Sequence, residues 1–81
     1  MTEDEIFTKI STTIKEQLNN KDLVITKDTN IQDDLNVDSI ALMEFVISLE
    51  DEFNLTIPDE DVEAIQSMGE MTTYLSHRLK E

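Results

Sequence analysis

Ser39 follows Asp38 at the head of "DDLNVDSIALMEF", where a polar, turn-rich segment gives way to a run of good helix formers carrying apolar residues all round. A serine hydroxyl used as a nucleophile needs a base beside it. The only histidine, His77, comes late in the chain among surface-like residues, so a hydrolytic triad lacks its second member. The acids before Ser39 invite a calcium reading instead. In an EF-hand register starting at Asp28, Asn30 suits the third position. Asp33, however, falls where glycine is needed, and Ser39 falls where the closing bidentate glutamate belongs. In the register starting at Asp34, Asn36 and Asp38 suit, while Ser39 and Phe45 fail at the same two places. A glycine-rich phosphate loop cannot be built with one glycine. These eliminations leave no self-contained catalytic site and no metal site.

The elements that must position Ser39 are legible in the apolar spacing. Thr2 and Glu5 have the spacing of a capping box, and behind them Ile6, Ile10, Ile14 and Leu18 recur every four residues with Phe7 beside them. That predicts a first helix ending at Asn19-Asn20. The long connection "KDLVITKDTNIQDDLNV" follows, with Leu23, Val24, Ile25, Ile31 and Leu35 expected to anchor it to the core. A loop of this length in a small domain has a function or folds over something. Asp38 or Ser39 can cap the second helix, which runs to about Phe53 before Asn54. "IPDEDVEAI" puts Pro58 and a cluster of acids at the start of a short third helix, where carboxylates oppose the macrodipole favourably. Ser67 and Glu70 repeat the capping-box pattern, with Met71, Leu75 and Leu79 on the inner face of a fourth helix and Gly69 a mild weakness at its start. No stretch sustains strand alternation. The expected fold is all-α, with four helices, the third short, in a single domain over residues 1–81.

Charge bounds the partners. The 81 residues hold 19 acids against 6 Lys and Arg, a net charge of -13, which repels nucleic acid and anionic lipid and attracts basic protein surfaces. Lys9, Lys15, Lys21 and Lys27 lie early, Arg78 and Lys80 lie at the end, and the segment from Asp28 to His77 has no Lys or Arg but 13 of the acids. Hydrophobic residues at 38%, set at helical period, argue for a packed core rather than disorder. There is no cysteine, hence no disulfide or thiolate site. The acidic start "MTEDEIF" lacks the features of a secretory signal, and no apolar run reaches membrane-spanning length, so a soluble, cytoplasmic monomer without membrane insertion is expected.

The second helix carries most of the information. At about 100° per residue, Leu42, Val46, Leu49 and Phe53 share one face, while Ile40, Met43 and Ile47 fall on another with Glu44 and Asp51. A helix buried on both sides commonly gives such a pattern. Here, though, Glu44 and Asp51 sit in the middle of the second stripe and would be costly to bury. Carboxylates rimming a few apolar side chains read better as a docking face.

"DSI" at the head of this helix, then "LMEFVISLEDEF" and "IPDEDVEAI", resembles the acyl carrier proteins, whose signature at that place is Asp-Ser-Leu. The resemblance spans nearly the whole chain, and it implies a four-helix bundle of acyl-carrier type with a long loop between helices one and two. It further implies that Ser39 is esterified to 4'-phosphopantetheine, donated by coenzyme A through a phosphopantetheinyl transferase, and that the thiol of that arm carries acyl groups as thioesters. Ser39 then needs no histidine, because the transferase supplies base and metal. Asp38 matches the signature aspartate and helps the transferase position its metal, a role compatible with capping the helix. Glu44, Glu50 and Asp51 match the acids presented to basic patches on partner enzymes, and Ile40, Met43 and Ile47 match the apolar contacts between them. Val46, Phe53, Ile57, Ile65 and Leu75 are candidates for lining a shelter for the cargo. The chain departs from the pattern with Ile40 in place of Leu, Ala41 where many fatty-acid carriers have an acid, and Asn36 where they have Gly.

The leading expectation is therefore a noncatalytic carrier that presents acyl thioesters to fatty-acid, polyketide or related biosynthetic enzymes. The rival is an unmodified acidic helical adaptor for a basic protein partner. Only the first predicts a phosphopantetheine adduct in the intact mass.

Overall fold

The Thr2 hydroxyl accepts from the Glu5 N–H at 3.2 Å, and the Glu5 carboxylate accepts from the Thr2 N–H at 2.9 Å, completing a capping box. The bond from the Thr2 N–H, with the nearby Thr2 hydroxyl, holds the Glu5 carboxyl below its usual range. In this computed structural model, which describes residues 2–79, the helix so begun is α1 (Glu3–Gln17). It is followed by α2 (Ser39–Phe53), the short α3 (Asp59–Ala64) and α4 (Met68–Leu79). Of the cations named above, Lys80 lies outside the described residues. Among the described residues the only sheet-like pairing is one isolated antiparallel bridge between Asn30 and Ser67.

The core follows from the apolar stripes. Ile6, Ile10 and Ile14 of α1 pack with Phe45, Val46, Leu49 and Phe53 of α2 and with Met68, Met71 and Leu75 of α4. Burying such side chains stabilises by about 1.5–3 kcal/mol each, and this burial rather than surface charge holds the bundle. The single ion pair among the described residues, Lys9 Nζ to Glu52 Oε1 at 3.0 Å, ties α1 to α2 but is half-exposed, and exposed pairs contribute about 0–1 kcal/mol. The helices stop where asparagines take positive φ: Asn54 at 56° caps α2, and Asn19 at 54° lies just past α1. Asn36 adopts φ 53° in the long loop. Glycine and asparagine both tolerate that conformation, which accounts physically for one of the departures noted above.

Two expectations for the loop and its neighbour need correction. Ile31 and Leu35 are buried and Leu23 and Ile25 partly so, but Val24 is 83% exposed and anchors nothing. An extended backbone turns alternate side chains to opposite sides, so with Leu23 and Ile25 inward the middle residue points out. Val37, not expected as an anchor, is buried. Gly69, in turn, is a requirement rather than a weakness. Its N–H donates to the Lys27 carbonyl at 2.9 Å, next to bonds from Met68 N–H to Thr29 O and from Ile31 N–H to Gln66 O, both also 2.9 Å. A Cβ at Gly69 would stand 2.8 Å from the Lys27 carbonyl oxygen. This backbone clasp seals the loop onto the start of α4 and leaves no room for a side chain. Gly69→Ala should therefore destabilise by about 1–3 kcal/mol despite alanine's better helix propensity. A urea melt equal to or better than that of the parent would refute the clasp's tightness.

Candidate functional site

Asp38, not Ser39, caps α2: its Oδ1 accepts from the Ala41 N–H at 2.8 Å. Ser39 is thus the first helical residue, exposed, and its hydroxyl makes no hydrogen bond among the described residues. The approaching loop is built around its own polar side chains. Asn30 Oδ1 accepts from the N–H groups of Gln32 and Asp33, and Asp34 Oδ2 accepts from the Asn30 N–H. Buried Ile31, Leu35 and Val37 then deliver the chain to Asp38. The first turn of α2 carries no acid, so the N–H groups of Ser39 and Ile40 face outward at the positive end of the helix with only Asp38 beside them. An anionic group attached to Ser39 would meet favourable partial charge there.

Ser39 borders a cleft of about 370 Å³ between α2 and α3. Leu42 and Met43 line it from α2, Val62 from α3 and Ile65 from just beyond it, with Gln32 and Gln66 at its edge. Of the residues expected to shelter a cargo, Ile65 borders this cleft. Val46, Phe53, Ile57 and Leu75 belong to the packed core. A larger hollow of about 620 Å³ lies against Gly69, Tyr74 and Lys27, but no α2 residue borders it.

The outward stripe of α2 is exposed. Ile40 is 74%, Ile47 58% and Met43 40% accessible, and Glu44 and Asp51 are exposed among them without a hydrogen bond or ion pair among the described residues. Glu50 differs from these two acids. It is half-buried, and its Oε2 accepts from the Ile57 N–H at 2.7 Å, fastening the chain that leads into α3. On the opposite side, Phe45 is fully buried. The sequence reading assigned it no face, yet the same helical wheel sets it about 60° from the inward stripe.

On α3, the Asp61 carboxylate accepts from the Tyr74 hydroxyl at 2.6 Å, and Arg78 Nη1 donates to that hydroxyl oxygen at 2.5 Å from over the Tyr74 ring. Partial burial and the bond to Asp61 push the Tyr74 hydroxyl above the usual phenol range, so it remains a donor. Nothing in the sequence reading pointed to this contact, since it joins residues 13 apart across two helices. His77 is exposed, and among the described residues no hydrogen bond joins its side chain to Ser39.

Comparison with known proteins bears on this geometry. A family profile described as "Phosphopantetheine attachment site" matches residues 8–75. The acyl carrier protein of Lactobacillus johnsonii is 48% identical over 79 residues, covering 96% of this chain and 99% of the relative. That of Lactobacillus acidophilus is 43% identical with the same coverage. The solved structure of the acyl carrier protein from Enterococcus faecalis superposes with a TM-score of 0.78 at 42% identity, covering 95% of this chain and 98% of that one.

Proposed function

The chain belongs to the acyl carrier proteins, noncatalytic carriers of acyl groups on covalently attached 4'-phosphopantetheine, and on that premise we propose that Ser39 is the attachment residue. The observation that carries the assignment is the division of labour at the head of α2. Asp38 does the capping, which frees an exposed Ser39 hydroxyl on the rim of a partly apolar cleft. When bound, the prosthetic group supplies a thiol that holds acyl groups as thioesters. This chain's residues supply the rest. The unpaired amides at the start of α2 favour an anionic group on Ser39, the cleft offers apolar cover close by, and Asp38, which matches the signature aspartate, would help the transferase position its metal. The other serines fit less well, because Ser11 is buried and Ser67 is spent capping the Glu70 N–H. The direct test incubates apo protein with coenzyme A and a broad-specificity phosphopantetheinyl transferase and maps the adduct. A site at Ser48 or Ser76, or no adduct with several transferases, would overturn the assignment.

The same reading makes Ile40, Met43 and Ile47, rimmed by Glu44 and Asp51, the surface met by the transferase and by acyl-transferring enzymes with basic patches. Glu50 contributes there only through the oxygen not engaged by Ile57. The chain acts as one monomeric domain over residues 1–81. Among the described residues no helix is long and apolar enough to cross a membrane. Glu44→Lys and Asp51→Lys should each slow pantetheinylation severalfold at low salt with an unchanged melting midpoint. The deficit should shrink as salt rises, because exposed charges are screened over about 10 Å at 0.1 M. Parent-like rates for both variants at every ionic strength would return these acids to ordinary solvated positions.

A further inference from the structure

Of the walls around the Ser39 cleft, only α3 has little to hold it. Ser39, Leu42 and Met43 ride on a helix of 15 residues whose inner face is core, and Gln66 is pinned by the bond from Ile31 N–H to its carbonyl at 2.9 Å. By contrast α3 has six residues, buries only Val62 among its side chains, and has no side-chain cap at Pro58. Its two ends are fastened through flanking residues, by Ile57 N–H to Glu50 at one and by the clasp at the other. Between them, among the described residues, a single side-chain bond joins α3 to another element, the one from the Tyr74 hydroxyl to Asp61. Asp59, Val62 and Glu63 turn toward the cleft, and Asp61 lies about 150° round the helix from their centre. The tie therefore grips the edge of α3 that faces away from the cleft.

Resting on the assignment of Ser39 as the cargo-bearing residue, we propose that the Asp61–Tyr74 bond, braced by Arg78, is a latch that sets the capacity of the cleft and so discriminates among acyl chains by length. A short chain fits beside Leu42, Met43 and Val62 with α3 where it stands. A long chain needs α3 displaced, and a directional bond of 2.6 Å resists any shift of the helix larger than the Asp61 and Tyr74 side chains can follow. Arg78 adds resistance, because its guanidinium orients the phenol while sitting over the ring at 5.6 Å from its centre.

Amide hydrogen exchange reads the latch directly. In apo Tyr74→Phe, which keeps the ring and loses the donor, the Val62 and Ile65 amides should exchange roughly five- to thirtyfold faster than in the parent. The Ile10 and Leu49 amides, buried in the core, should be unchanged. Asp61→Ala should behave the same way, and Asp61→Asn, which retains an acceptor oxygen, should recover much of the protection. Parent-like rates at Val62 and Ile65, or an equal acceleration at all four amides, overturn the latch. The second arm loads Ser39 with butanoyl- or hexadecanoyl-4'-phosphopantetheine from the corresponding acyl-coenzyme A and a transferase, adenosine 3',5'-bisphosphate leaving. Hexadecanoyl loading should accelerate Val62 and Ile65 exchange in the parent far more than butanoyl loading does. In Tyr74→Phe the two chains should differ little, since the bond is already gone. An equal chain-length effect in parent and variant overturns the capacity role. Failure to load Ser39 removes the attachment site and the capacity role with it, while the apo comparison still decides whether the latch exists.

Discussion

Ser39→Ala should abolish pantetheinylation outright while folding as well as the parent. The loss is complete because the hydroxyl oxygen itself forms the phosphodiester, and a methyl group offers no substitute. That the fold survives follows from three observations at the head of α2. Asp38 holds the capping bond to Ala41 N–H at 2.8 Å, Ser39 is exposed, and its hydroxyl supports no other group among the described residues. The melting midpoint should stay within the range of an ordinary surface change, about 0.5 kcal/mol either way. Asp38→Ala gives the contrast, removing the cap at a cost of about 1 kcal/mol while leaving the hydroxyl in place. Intact mass after incubation with coenzyme A and transferase, paired with a thermal melt, separates the two. An adduct on Ser39→Ala would move the site elsewhere, and an unfolded Ser39→Ala would assign the serine a structural part that its surroundings do not suggest.

The second large effect separates the two stripes of α2. Leu49 is fully buried among Phe45, Val46 and Phe53, so Leu49→Ala should destabilise by about 2–5 kcal/mol, enough to unfold much of the population of a domain this small. Ile47 is about 160° away on the wheel and 58% exposed, and truncation there should cost well under ~1 kcal/mol. Its effect should appear instead as slower reaction with the transferase. Urea melts and transferase kinetics on the same two samples decide the matter. Equal destabilisation would make both stripes core and remove the apolar half of the docking surface.

How much of this was legible in the residues depended on whether the information was local. The α2 stripes, the Thr2–Glu5 box and the start and end of α2 were readable because each rests on side chains three or four positions apart, where helical geometry alone sets who meets whom. Elimination of other chemistry left Ser39 without a role, and only the resemblance carried by "DSI" and the residues after it implied one. Features that depend on the tertiary fold were not readable. The hydrophobicity of Val24 suggests an anchor but says nothing about which way the residue faces. Gly69 looked like a flaw because its partner, the Lys27 carbonyl, is brought near only by the tertiary fold. Glu50 looked equivalent to Glu44 and Asp51 because a backbone N–H seven residues ahead leaves no mark on residue type.

The clasp between the long loop and the start of α4 also has a kinetic consequence. Its bonds at Lys27, Thr29 and Gln66 close a stretch of chain that contains the whole of α2 and α3, so forming it early would carry a large loop-closure entropy with only a few backbone bonds in return. Contacts within and between neighbouring helices are cheaper to form first. The clasp is thus expected to close after the folding barrier, so that strain placed in it at Gly69 quickens unfolding and leaves the refolding limb of the chevron where it was. A protein that must keep its long loop fastened to α4 while α3 yields would then owe its lifetime in the native state, more than its speed of reaching it, to three backbone hydrogen bonds and the absence of one methyl group.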